Sequence, residues 1–289
     1  MASIAEAPRV RQISSTVNYI ARKPEPLYNY YLVDPPAGVP ASNEDREPRD
    51  VIVASVRDRT VPPALDVHGF ELVAFNPSVD DIYDTAQQEA VFNPQVADFV
   101  RRHLNAREVR VFFPFLRGEE AQRRMPGSLT APAPTAHVDY THETGHYWFD
   151  HILGADADRY RGSRFAIINL WRPITGPLRD HPLAMCDAQS LGPDDLMVSK
   201  VVSRADEHGR PVADGKIYEA AVYALAYNPG HRWYYVPDMM PDEALLLKNY
   251  DSQLDGVARF SPHCAFKDPS TPADVLPRAS IEVRCLVVW

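Results

Sequence analysis

Twenty-seven prolines are spread through 289 residues, and each removes a backbone donor and fixes φ. A chain punctuated this often cannot sustain long helices, so short strands joined by loops are expected. From Ala136 onward the pattern agrees. Short apolar runs alternate with turn residues in RFAIINLWRPI, DLMVSKVV, YEAAVYALAYNP, RWYYVP, ALLLKNYDS and SIEVRCLVVW. Runs of this kind without long helices between them favour an antiparallel sandwich or a double-stranded β-helix over a parallel α/β sheet. Neither GxGxxG nor the P-loop pattern occurs, which weakens nucleotide-binding readings.

The first 125 residues are more mixed. VIVASV, GFELVAFNPS and EVRVFFPFLRG read as strands, and the Pro- and charge-rich VDPPAGVPASNEDREPRD (Val33 to Asp50) as a surface loop. Between Asp80 and Leu104, the residues Ile82, Ala86, Ala90, Val91, Val96, Phe99 and Val100 recur at helical spacing, with Asn93-Pro94 expected to break the helix in two. The expected fold is mainly β, a double-stranded β-helix (jelly roll) core with flanking helices. A single domain over 1–289 is expected, with 1–125 as a mixed α/β flanking part and 126–289 as the jelly-roll core holding the site.

A formal net charge of −9 and a pI of about 5.6 offer no general attraction to phosphates or anionic lipid, so neither nucleic acid nor membrane is an expected partner. MASIAEAPRVRQISSTVNYI lacks a long apolar stretch, and no later segment is long and apolar enough to span a bilayer; a cytoplasmic location is expected. Cys186, Cys264 and Cys285 are odd in number and widely spaced, which argues for buried reduced thiols rather than a disulfide framework or a cysteine zinc site. A homodimer is the base-rate expectation for such a chain.

The chemistry concentrates in TAPAPTAHVDYTHETGHYW, which begins at Thr130 and holds three of only ten histidines. In an extended segment His137 and Asp139 point to one face and can grip a single ion. A third ligand has four downstream candidates: His181, His208, His231 and His263. His263 stands out because Arg278 and Ser280 follow it at the start of an alternating strand, sharing a face and offering a guanidinium fork and a hydroxyl to one carboxylate. Two imidazoles and one carboxylate are the ligand set that leaves open positions on non-heme Fe(II), and the arginine suits the far carboxylate of 2-oxoglutarate.

The stretches HVDYT, NLWRPI, HPLAMCDAQSL, NPGHRWYYVPDMMPDEALLLKNYDS, SPHCAF and PRASIEVRCLV resemble the family that includes the cephamycin 7-α-hydroxylase small subunit, the fungal gibberellin desaturase and the aspergillic acid hydroxylase/desaturase. The resemblance covers Phe112 to Trp289 best. It implies a jelly-roll oxygenase of secondary metabolism that uses Fe(II) and 2-oxoglutarate, with His137, Asp139 and His263 as iron ligands, Arg278 as the 2-oxoglutarate clamp and Ser280 beside it. It leaves open hydroxylation, desaturation and endoperoxide formation. Two alternatives remain, an iron oxidase that does not use 2-oxoglutarate and a non-catalytic partner subunit of an oxygenase complex. The expected substrates are O2 and a small-molecule natural product, which the many aromatics suggest is bulky and largely apolar.

Competing residues have ordinary readings. His142 and His146 lie i to i+4, but Thr141, Thr144 and Gly145 make that stretch a poor helix, so a second metal site there is disfavoured. The Asn-Pro-Gly turn before His231 explains that histidine without metal. Arg284 shares the strand parity of Arg278 and is the alternative clamp, though expected farther from the His263 end. Tyr140, Thr141, Asn169, Trp171 and Arg172 are candidate pocket-lining residues, and Cys264 is expected to point away from the metal.

Overall fold

The computed structural model describes residues 11–31, 33–125, 130–205 and 216–289, so His208 lies outside the described residues. The apolar runs become strands. In chain order these are β1 (Gln12–Ile20), β2 (Leu27–Tyr31), β3 (Arg46–Ser55), β4 (Phe70–Ala74), β5 (Glu108–Arg117), β6 (His137–Val138) and β7 (Phe165–Pro173). They continue with β8 (Leu183–Cys186), β9 (Leu196–Ala205), β10 (Lys216–Leu225), β11 (Trp233–Tyr235), β12 (Glu243–Asp251), β13 (His263–Ala265) and β14 (Ser280–Val288). A nine-stranded sheet runs β1-β3-β11-β8-β13-β6-β10-β9-β2, and a five-stranded sheet runs β4-β12-β7-β14-β5.

The sheets pack over a shared apolar interior, the jelly-roll arrangement. Trp171 of β7, Leu247 of β12 and Met185 of β8 belong to one buried cluster that spans both sheets. β7 is buried at every residue because it is the central strand of the smaller sheet and is covered on both faces. Its odd-numbered residues face the other sheet, while Ala166, Ile168 and Leu170 face a second cluster with Val96 and Val100 of a covering helix.

That helix, α3, follows α1 (Leu65–His68) and α2 (Thr85–Gln87) and spans Asn93–His103. Asn93-Pro94 does not break the helical region as expected. A π-helical turn at Gln88–Phe92 leads directly into α3, and Pro94 sits in its first turn, where a missing N–H has no intrahelical partner to lose.

Residues before 126 do not form a separate flanking layer. All four sheet edges, β1 and β2 of the larger sheet and β4 and β5 of the smaller, come from them. The stretch read as a loop to Asp50 also ends sooner. β3 begins at Arg46 and pairs with β1 from Ile20↔Arg46 onward, because Pro48 is placed where a strand can tolerate it, next to a single neighbour at that end.

A buried charge cluster ties α1 to β12. Lys248, fully buried, bonds through Nζ to Asp66 and to Asp251 Oδ2 at 2.8 Å, and Arg164 reaches the same two carboxylates at 2.7 and 2.6 Å. Removing one partner leaves charge stranded away from water. Lys248→Met is expected to cost about 3 kcal/mol, the lower end for breaking a buried pair because Arg164 still covers Asp251. Urea unfolding checks this through the midpoint at unchanged slope, and a loss below about 1 kcal/mol contradicts it.

Candidate metal centre and adjoining cavity

β6 and β13 are neighbours in the larger sheet, and their register places His263 directly opposite His137. The ring centroids are 4.8 Å apart. Each imidazole has its Nδ1 against a backbone carbonyl, His137 on Thr135 at 2.8 Å and His263 on Ser261 at 2.9 Å. A carbonyl only accepts, so each Nδ1 carries the hydrogen and each Nε2 is left with a lone pair. Asp139 completes the group, its Oδ1 3.4 Å from His137 Nε2, and one ligand atom from each of the three residues lies within 4.8 Å of the others.

Asp139 is held by three contacts. Its backbone N–H donates to Asn249 Oδ1 at 3.1 Å, its Oδ2 accepts from Asn169 Nδ2 at 2.8 Å, and Arg284 Nη2 stands 3.2 Å from the same oxygen. Burial alone would raise the Asp139 pKa, but Arg284 and the two histidines hold it well below the usual carboxylate range. Burial, reinforced by the neighbouring His137, lowers His263 to about 4, so it stays a neutral donor at physiological pH. Burial also works against the charge on His137, yet the bond to Asp139 leaves its pKa raised. His263 is thus presented as a neutral nitrogen donor beside the Asp139 carboxylate, and a cation bound there would take the place of the proton that Asp139 favours on His137.

Arg278 is buried, and its guanidinium donates from Nη1 to the His181 carbonyl at 2.9 Å and from Nε to Ser280 Oγ at 3.2 Å, lying 5.0 Å over the Trp171 ring. Among the described residues no carboxylate lies within ion-pair distance of it. Burial and the nearby Arg117 charge push its pKa down to about 9. A buried cation without a counter-ion is costly to the folded chain, and a ligand carboxylate would compensate it.

The other expected site residues divide. Tyr140 lines the cavity beside the triad. Asn169 and Trp171 instead support Asp139 and Arg278. Thr141 is the N-cap of a helix, α5 (His142–Leu153), which follows α4 (Glu119–Arg124). The poor-helix reading of this stretch is therefore corrected. Thr141 and Thr144 form a reciprocal capping box, and Gly145 permits close packing, since a Cβ there would meet the Tyr250 ring at 2.6 Å. His142 bonds to Tyr250 rather than joining a metal group.

Arg172 is not a pocket residue. It is one position out of phase with Trp171 and donates from Nη2 to the Pro241 carbonyl. His231 is a core histidine between Asp195 Oδ2 at 2.9 Å and the Tyr19 hydroxyl at 3.3 Å. Cys264 is packed in an apolar cluster with Cys186 and Phe266. Arg284 is not remote from the centre, as expected, but touches Asp139. Parity along PRASIEVRC already aligned Arg278, Ser280, Glu282 and Arg284 on one face, but not which of them meets the ligand carboxylate.

A cavity of about 670 Å³ adjoins the triad. His137 and Asp139 line one end, and Phe113, Phe115, Trp148 and Tyr218 form much of its wall. Its size is ordinary for a small-molecule site.

A family model described as Oxidoreductase/YMDC permease-like domain matches residues 17–288. No helix among the described residues is long and apolar enough to cross a membrane. The chain is similar to the Fe(II)/2-oxoglutarate-dependent dioxygenase nvfI of Aspergillus novofumigatus (strain IBT 16806), at 34% identity over 263 residues, covering 89% of this chain and 90% of that protein. It is 34% identical over 256 residues to the hydroxylase/desaturase efuI of Hormonema carpetanum, covering 83% of each. Among solved structures, that of the iron and alpha-ketoglutarate-dependent endoperoxidase NvfI matches with a TM-score of 0.82 at 32% identity, covering 96% of this chain and 98% of the other.

Proposed function

The chain belongs to the oxidoreductase family of Fe(II)/2-oxoglutarate-dependent dioxygenases and hydroxylase/desaturases, and from that premise we propose that His137, Asp139 and His263 hold its iron while Arg278 and Ser280 grip 2-oxoglutarate. The observation that carries this assignment is the convergence of two imidazoles, each held by its Nδ1 on a backbone carbonyl with Nε2 turned to the centre, on one carboxylate. The buried, uncompensated Arg278 supports the cosubstrate's place. When bound there, Fe(II) and 2-oxoglutarate supply an O2-derived oxidant that removes hydrogen from an unactivated C–H bond, with succinate and CO2 as coproducts.

The protein's own part is positional. Asn169 and Arg284 fix the orientation of Asp139, and the Thr135 and Ser261 carbonyls fix the two rings. The aromatic wall of the cavity orients an apolar natural product beside the triad and excludes water from its reacting carbon. Asn169→Ala, which removes the neutral donor that orients Asp139 Oδ2, is expected to weaken Co(II) binding by roughly tenfold or more. Calorimetric titration checks this, and unchanged affinity contradicts it.

The reaction class is tested by counting products. Iron-loaded protein supplied with O2 and 2-oxoglutarate labelled at C1 is expected to release labelled CO2 and form equimolar succinate. Oxygen uptake without succinate would instead select the oxidase that draws all its electrons from substrate.

A further inference from the structure

The cavity's lining is mixed. Besides His137, Asp139 and the aromatic wall it includes the exposed Arg46 and Tyr31 and the half-buried Arg117 and Glu44. Neither Arg46 nor Arg117 has a carboxylate within ion-pair distance among the described residues. Arg117 uses one nitrogen, Nη1, on the Ala131 carbonyl at 2.7 Å. Glu44, the acid among them, is occupied by neutral donors, Ser199 Oγ at 2.6 Å and Asn29 Nδ2 at 3.1 Å.

Both guanidiniums line the same cavity as Tyr31. The Tyr31 phenol is raised by burial and by Glu44, and both Arg46 and Arg117 pull it back down. Two cations and one acid thus line the same cavity as Phe113, Phe115, Tyr140 and Trp148, in a chain whose net charge is −9. Among the described residues the acid Glu44 is engaged elsewhere, and neither guanidinium has a carboxylate partner. A singly charged anion would balance them and could donate nothing that Glu44 needs.

We propose that the cavity takes amphipathic acids, whose apolar body lies on Phe113, Phe115, Tyr140 and Trp148 and whose carboxylate meets Arg46 and Arg117. This names the substrate class and rests on the oxygenase reading for what happens to the bound molecule. The apolar body then presents a carbon to the triad, and the acid fixes which carbon that is.

The test uses the chain without iron or 2-oxoglutarate, so its failure is distinct from failure of the oxygenase reading. The probes are 1-pyrenebutyric acid and its methyl ester, with binding read by energy transfer from tryptophan. The acid is expected to bind about tenfold more tightly than the ester at low salt, as two charge-assisted contacts allow. The advantage should shrink as salt is added. In the R46Q/R117Q double variant the acid should fall to the ester's affinity while the ester's own affinity is kept, which also shows that the cavity still folds. Arg46→Gln alone, at an exposed position, should narrow the preference by about threefold. Equal affinities for acid and ester in the unsubstituted chain, or a preference that survives the double substitution, would overturn the proposal.

Discussion

Asp139→Ala is expected to abolish stoichiometric iron binding and to lower turnover by at least about a thousandfold, because the metal supplies the chemistry and this residue is the one anion of the proposed ligand set. The substitution does more than delete a ligand atom. It leaves Arg284 facing His137 and His263 with no negative charge between them, so a cation would enter a site of its own sign. Asp139→Asn separates the two effects, keeping the shape and losing the charge, and is expected to bind iron weakly rather than not at all. His263→Ala should resemble Asp139→Ala, whereas His231→Ala should leave iron content unchanged, since His231 is engaged by Asp195 and Tyr19 in the core. Metal analysis of desalted protein, with circular dichroism to verify folding, makes the comparison. Full iron content in both Asp139→Ala and His263→Ala would contradict the assignment.

Arg278→Ala is expected to raise KM for 2-oxoglutarate by roughly a hundredfold, the loss of about 3 kcal/mol from a charged, hydrogen-bonded carboxylate contact. The iron should stay bound, because Arg278 contacts Ser280, His181 and Trp171 and none of the three proposed ligands. The fold should lose little for electrostatic reasons, since no carboxylate of the described residues lies within ion-pair distance of this buried cation and Glu282 and Asp180 act on it only from farther away. Arg278→Lys retains charge but not the fork that reaches Ser280 and the ligand together, so it should recover only part of the loss. Steady-state kinetics at saturating iron check this. An unchanged KM would contradict the assignment of Arg278 as the clamp.

Local signals in the chain carried much of this architecture and stopped where tertiary contact begins. Short apolar runs in RFAIINLWRPI and SIEVRCLVVW identified β7 and β14, which are buried along almost their whole length because both lie inside the smaller sheet. The spacing of His137 and Asp139 likewise survives as two side chains at one centre. The expectation failed for Thr141 to Gly145, where single-residue propensity argued against a helix that a capping box and the Tyr250 ring make favourable. The role of Arg284 was hidden for a related reason. Strand parity gives the face but not the depth, and only the pairing of Arg284 with Asn169 across β7 and β14 brings it to Asp139. The edges supplied by β1, β2, β4 and β5 were equally out of reach, since strand order is decided by contacts between residues far apart in the chain.

The most direct test of the central claim is anaerobic addition of 2-oxoglutarate to the protein reconstituted with one equivalent of Fe(II), followed by visible absorption. A weak charge-transfer band that titrates to one equivalent of 2-oxoglutarate is the result expected if His137, Asp139 and His263 leave adjacent positions open for the cosubstrate. Iron that binds tightly but yields no band at any concentration of 2-oxoglutarate would contradict the account.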